Sequence, residues 1–182
     1  MSDILKNKRV TFLGRYSDVD FYRYTPSLFK PYYMDYPAED HPHYEGRLVH
    51  KIRMMMEHLR GGYEVIYMVV DGKVVGHLVI ANGGRRLAIS EKEDIVLGPI
   101  FVSPDWRGKG IGTIGIRTVL RDLDIPYRYA YEFIKDGNIA SIRTVEKNGY
   151  QFVCRAEEKG LLKNLITCPE GSFIVYRYTK NL

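Results

Sequence analysis

Cysteine is scarce. Only Cys154 and Cys168 occur, too few for a disulfide framework and at no zinc-binding spacing, so both read as reduced structural thiols and no metal site is expected. Long apolar runs are missing as well. The longest, Val65 to Val70, holds six residues between Glu64 and Asp71, against the roughly 18 or more that a bilayer crossing needs, so no membrane span is expected. The opening decapeptide MSDILKNKRV has no apolar block followed by small residues, so no secretory leader is read and a cytoplasmic location is expected. Neither sign of charge dominates. Against 27 Lys and Arg stand 22 Asp and Glu, a net charge of +5, and the basic residues are spread along the chain without a stripe, so a nucleic-acid partner is not expected. What is there, 45% apolar and 27% charged residues over 182 positions, reads as one globular domain spanning 1–182 with enough apolar material for a core.

Periodicity supplies the elements. Val10 to Leu13 reads as a short strand. Leu48, Ile52, Met55 and Leu59 fall at helical intervals within Glu45 to Arg60, and Gly61-Gly62 ends that helix. Tyr63–Val70 and Lys73–Ala81 flank Asp71-Gly72, a strong hairpin signal. Asn82 to Asp94 reads as a connection, a candidate mobile excursion. Ile95 to Val102 is the most apolar strand, yet it contains Gly98 and Pro99; proline has no N–H to give a ladder, so pairing is expected to break there. Ile111 to Leu123 reads as a helix apolar on two sides. Pro126 to Phe133 alternates, with Tyr127, Tyr129, Tyr131 and Phe133 on one face and Arg128, Ala130 and Glu132 on the other. Asn138 is a good N-cap for a helix running to Asn148, with Ile139, Ile142 and Val145 as its apolar stripe and Gly149 at the left-handed C-terminal position. Gln151–Arg155 and Phe173–Tyr178 supply two last strands. The class is mixed α/β.

Between the strand ending at Val102 and the helix starting near Ile111 lies SPDWRGKGIG. Glycines at 108, 110 and 112 allow backbone N–H groups to turn inward at a helix N-terminus, and Arg107 and Lys109 add two full charges. Such a loop is suited to a pyrophosphate. Gly110, Gly112 and Gly115 also match G-x-G-x-x-G, with Glu132 about 20 residues on, as a dinucleotide fold asks. Three features oppose that reading: Gly110 lies eight positions after Val102 with Pro104 between, an antiparallel hairpin precedes the unit, and only one helix follows. A Walker-type loop is excluded because no Gly-Lys-Ser or Gly-Lys-Thr occurs.

Arg107-Gly-Lys-Gly110-Ile-Gly112 resembles the R-x-x-G-x-G signature of the GNAT N-acetyltransferase superfamily. Asn138-Ile-Ala-Ser141 through Glu146-Lys147-Asn-Gly149-Tyr150 is similar to that superfamily's N-x-x-S/A-x-x-x-x-E-K-x-G-F/Y helix, one strand downstream. The resemblance is specific over about residues 95 to 152. It implies a mostly antiparallel central sheet with flanking helices, splayed between its fourth and fifth strands, here Ile95–Val102 and Pro126–Phe133. It also implies acetyl-coenzyme A as acetyl donor: Ile100, Phe101 and Val102 would offer backbone groups to the pantetheine arm, Arg107, Gly108, Lys109, Gly110, Ile111, Gly112 and Thr113 would hold the phosphates, and Asn138 and Ser141 would lie near the arm.

Acetyl transfer needs a neutral amine and a proton for the leaving thiolate. Family members often supply that proton from a tyrosine seven residues after the capping Asn, and here that residue is Val145. Glu132 is the first candidate base and Asp94 the second, each weighed against a plain surface carboxylate. His41, His43, His50, His58 and His77 read as surface or core residues. Six tyrosines, at 22, 24, 32, 33, 36 and 44, lie with Pro26, Pro31, Pro37 and Pro42 where the family builds an acceptor-binding lip; flat area plus hydroxyls suits a sugar, an aromatic amine or a peptide terminus, and a loop packed over the sheet is the other reading. Asp35, Glu39 and Asp40 would attract a cationic amine or face water. The expected activity is N-acetylation of a small amine or amino sugar. A peptide N-terminus, and an acyl-coenzyme A binder without turnover, remain open, as does a homodimer.

Overall fold

The computed structural model describes residues 7–30, 47–85, 87–160 and 164–180. By its contacts the chain divides into two units, Met1–Ala81 with Pro99–Gly115, and Asn82–Gly98 with Ile116–Leu182. The first contains β1 (Val10–Tyr16), β2 (Val19–Tyr24), α1 (Arg47–Leu59), β3 (Tyr63–Val70), β4 (Lys73–Asn82), the C-terminal half of β5 (Ile95–Val102) and the start of α2 (Ile111–Arg117). Its strands lie in the order β1-β2-β3-β4-β5, with antiparallel pairing from β1 through β4. Both hairpins turn on two residues of positive φ, Ser17 (48°) with Asp18 (64°) and Asp71 (49°) with Gly72 (73°), the geometry that follows the natural twist of paired strands. The second is legible as Asp-Gly. The first carries no such signal, and the sequence pattern does not mark β2.

Val65, Tyr67 and Val69 of β3 cluster with Tyr24, Val79, Ala81 and Met54 of α1. The helix is where its periodicity places it, but among its described side chains the buried one is Met54, whereas Leu48, Ile52 and Leu59 are 71%, 49% and 69% exposed. Two glycines permit close approach elsewhere in this unit. A methyl on Gly76 of β4 would lie 2.6 Å from the Phe101 carbonyl oxygen, so that position excludes a side chain, and one on Gly115 of α2 would lie 2.5 Å from Met68 Sδ, so it would have to displace that side chain.

The second unit contains the N-terminal half of β5, β6 (Tyr129–Lys135), α3 (Ile139–Lys147), β7 (Gln151–Lys159), β8 (Asn164–Thr167) and β9 (Phe173–Thr179), in the order β5-β6-β9-β7-β8. β6 pairs antiparallel with β9 from Tyr129↔Thr179 to Lys135↔Phe173, but its parallel ladder with β5 has only two rungs, Ile95↔Ala130 and Val96↔Tyr131. The ladder stops short of Gly98, whose φ is 121°, and of Pro99, which has no N–H to donate. The sheet is mixed and mostly antiparallel. Leu87, Val96, Tyr131, Ala156, Leu165 and Val175 form a core cluster in this unit.

The structure corrects several expectations. The Asn82–Asp94 connection is no free excursion: Gly83 N donates to Asp94 O (2.9 Å), Ala88 N donates to Leu165 O (3.0 Å), and the buried Ser90 hydroxyl donates to the carbonyls of Leu87 and Gly83. After α2 the chain makes one wider π turn, Thr118–Asp122, closed by Leu123 N to Thr118 O (3.0 Å). Strand β6 starts at Tyr129, and ahead of it the Tyr127 hydroxyl donates to Leu120 O at 2.7 Å. In α3 only Val145 is buried, and Ile139 is exposed.

Candidate functional site

Strand β5 ends at Val102, and Ser103 N donates to Val75 O of β4 at 2.9 Å. Pro104–Trp106 then forms a single 3₁₀ turn with Pro at its start, where a missing N–H costs nothing. Gly108 and Gly110 follow with φ of 76° and 78°, the left-handed region that favours glycine, and a Cβ at either would meet nothing within 4 Å. The first helical bond of α2 runs from Ile114 N to Gly110 O, 2.9 Å. The N–H groups of Ile111, Gly112 and Thr113 therefore lack partners within the helix, as in any first turn, and present its positive end.

Both loop cations rest on aromatic rings. Arg107 Nε donates to Val102 O at 3.0 Å, and its guanidinium carbon stands 5.8 Å from the Phe101 ring centre. Lys109 Nζ stands 4.6 Å from the centre of Trp106. Phe101 in turn stacks on His77, 5.7 Å away at 28°; His77 is 1% exposed, a core histidine. Open space beside two left-handed glycines, two cations and a turn of outward N–H groups fit a diphosphate. Sequence reasoning finds the glycines and cations but passes over Trp106, whose signal is an aromatic three residues before a lysine.

The two carboxylates named from sequence have different surroundings. Asp94 is spent on structure: its carboxylate oxygens accept from Glu91 N (2.7 Å), Tyr129 N (3.3 Å) and Arg128 Nε (3.2 Å). Its side chain is fully buried while that of Arg128 is half exposed, and the pair holds the Arg128 guanidinium above its usual range. As a base Asp94 is therefore revised to a turn-holding residue. Glu132 is buried within β6, not a surface glutamate, and its Oε1 has no hydrogen-bond partner among the described residues. Burial pushes its carboxyl well above the usual glutamate range, since a desolvated charge is costly. The fully buried Tyr150 hydroxyl also lacks a partner among the described residues; burial first, then the charge of Glu132, pushes it up.

The downstream motif is laid out as a cap. Asn138 Oδ1 accepts from Ser141 N at 3.3 Å, and at the far end of α3 the Tyr176 hydroxyl donates to Glu146 Oε1 at 3.2 Å. Val145 is buried. Of the six tyrosines, Tyr22 and Tyr24 belong to β2, and Tyr24 is buried against Tyr67 with ring centres 6.5 Å apart. Tyr32, Tyr33, Tyr36 and Tyr44, with Asp35, Glu39, Asp40, His41 and His43, lie outside the described residues. Among the described residues no three His, Cys, Asp or Glu come together as metal ligands, and no helix is long and apolar enough to cross a membrane.

A mixed, mostly antiparallel sheet whose β5–β6 parallel ladder stops after two rungs, with a glycine-and-cation loop between β5 and α2, defines an acyltransferase-like class of fold. Residues 22–150 match the family model described as Acetyltransferase (GNAT) family, and the chain belongs to that family. Solved structures agree on the fold. The microcin C7 self-immunity acetyltransferase MccE, solved with acetyl-CoA and AMP, has a TM-score of 0.57 at 11% identity over 90% of this chain and 93% of its own. The putative acetyltransferase yncA from Salmonella typhimurium, solved with acetyl-CoA, has 0.52 at 15% over 75% of each. An acetyltransferase from Thermus thermophilus has 0.52 at 16% over 71% of each. No curated protein matches the chain.

Proposed function

We propose that the protein is an acetyl-CoA-dependent N-acetyltransferase that moves the acetyl group directly to a primary amine of a small molecule or amino sugar. The observation that carries this reading is the Arg107–Thr113 loop, whose left-handed glycines leave open space beside two ring-backed cations. In this reading the loop holds the donor's diphosphate, and backbone groups of Ile100, Phe101 and Val102 take the amide-bearing arm. Two structural relatives solved with acetyl-CoA support the choice of donor. Asn138 and Ser141 serve by fixing the start of α3. The choice of acceptor draws on the composition of residues 21–44, whose tyrosines suit a polar ring; residues 31–44 lie outside the described residues.

The amine must lose a proton and the thiolate must gain one. Glu132 is the retained candidate base, since it sits in β6 with a carboxyl oxygen that has no hydrogen-bond partner among the described residues, and burial raises its affinity for a proton. Glu132→Gln should lower kcat by about 100-fold or more with little change in the KM for acetyl-CoA; full activity in the folded variant would assign Glu132 to the interior alone. Free-thiol release from acetyl-CoA across an amine panel tests the whole reading. Release with particular amines only is expected, and tight coenzyme A binding with no release from any amine would point to a binder, which the buried Val145 in place of the usual tyrosine favours.

A further inference from the structure

We propose that Trp106 is a positioning residue for the donor's diphosphate, acting through Lys109; this rests on the acetyl-CoA reading above. Free lysine chains lose rotamer entropy when they clamp an anion, and a cation held in place beforehand loses less on binding. The Lys109 ammonium stands 4.6 Å from the Trp106 ring centre, inside the roughly 6 Å within which an indole face attracts a cation. Lys109 is exposed, so burial does not place it. The indole does. Trp106 is half-buried and closes the 3₁₀ turn that Pro104 opens, its backbone N–H donating to Ser103 O at 2.9 Å, so the residue that carries the ring is anchored by its own main chain. An ammonium has three donors, and a ring face leaves those pointing outward available to a phosphate oxygen. Arg107 is held differently, by the Val102 carbonyl as well as the Phe101 face. The ring is the tether that Lys109 shows, which makes Trp106 the position where substitution tells.

The role predicts a linkage. Trp106 should matter for donors that carry phosphate, and only as long as Lys109 is present. Calorimetric Kd values for coenzyme A, with KM and kcat for acetyl-CoA and for acetyl-pantetheine, which carries the thioester without phosphate, test it on the full chain. Lys109→Ala should weaken coenzyme A about tenfold, as loss of a charged hydrogen bond does. Trp106→Ala and Trp106→Leu should each weaken it about three- to fivefold, and Trp106→Phe, which keeps a π face, should stay within about twofold of wild type. The Trp106→Ala/Lys109→Ala double variant should bind within about twofold of Lys109→Ala alone, while kcat at saturating acetyl-CoA and KM for acetyl-pantetheine hold steady. Wild-type affinity in Trp106→Ala, equal binding by the Leu and Phe variants, or losses that add in the double variant would each overturn the assignment. Should Trp106→Ala fail to fold, the Leu and Phe pair decides the matter. Failure of the wild-type chain to bind coenzyme A at all would instead remove the donor reading on which the proposal stands.

Discussion

Glu132 is one residue on which chemistry and stability pull apart. Its carboxyl is raised above the usual value of 4.5 by burial alone, so the folded state prefers the proton more than the unfolded chain does. The stability this lends is complete below pH 4.5 and drains away as pH rises toward the elevated folded value. The melting temperature of the wild-type chain should therefore fall, as pH rises above about 4.5, more steeply than that of Glu132→Gln, which has nothing to ionise; parallel curves would show that the carboxyl finds a partner in solution. Asp94 predicts the reverse emphasis. Removing its charge in Asp94→Asn weakens bonds to Arg128, Glu91 and Tyr129 and should cost about 2 kcal/mol of stability, with kcat within about threefold of wild type. In the loop, Arg107→Glu should weaken coenzyme A binding at least tenfold, whereas Lys73→Glu, an equal charge reversal at the exposed β3–β4 turn, should leave it unchanged; equal losses would mean that net charge, not the loop, attracts the donor.

At the scale of elements, patterns local in sequence were legible and those set by distant packing were not. Asp71-Gly72, the Asn138 cap and the Gly98-Pro99 break each act through their own backbone chemistry, and each is found where the residues placed it. β2 and β8 were missed because Val19–Tyr24 sits inside a tyrosine- and proline-rich stretch and Asn164–Thr167 is only four residues long; partners elsewhere in the chain, β3 and β7, decide their pairing. The apolar stripe of α1 named the helix but not its inward face, since Met54 lies between the residues that set the period. Gly115 shows the same limit. It fits a nucleotide-loop pattern in sequence, yet its contact is Met68, and its reason is close helix-on-strand packing. Gly115→Ala should lower the melting temperature by about 3–10 °C through overpacking, without changing the loop's preference for phosphate-bearing donors.

For the molecule as a whole, two ordered motifs carried the family, and residues 22–150 match it. The geometry of the glycine-and-cation loop was legible, because glycines that take up a left-handed backbone and cations beside them at a strand-to-helix junction are local features of the chain. The proton chemistry of the candidate site was not, because a glutamate on an alternating strand looks the same whether its face meets water or is covered, as that of Glu132 is. The acceptor is a question for the amine panel: an amino sugar or small amine is expected to outpace peptides, and faster turnover of a peptide N-terminus would reassign the substrate. The lone tryptophan has a practical consequence for that work. With one indole in 182 residues, and that one beneath an ammonium in the loop, the emission of the unlabelled protein is a built-in optical gauge of donor occupancy. It should respond to coenzyme A and stay silent to acceptors, so that the order in which the two substrates arrive can be watched in a stopped-flow cell without a dye.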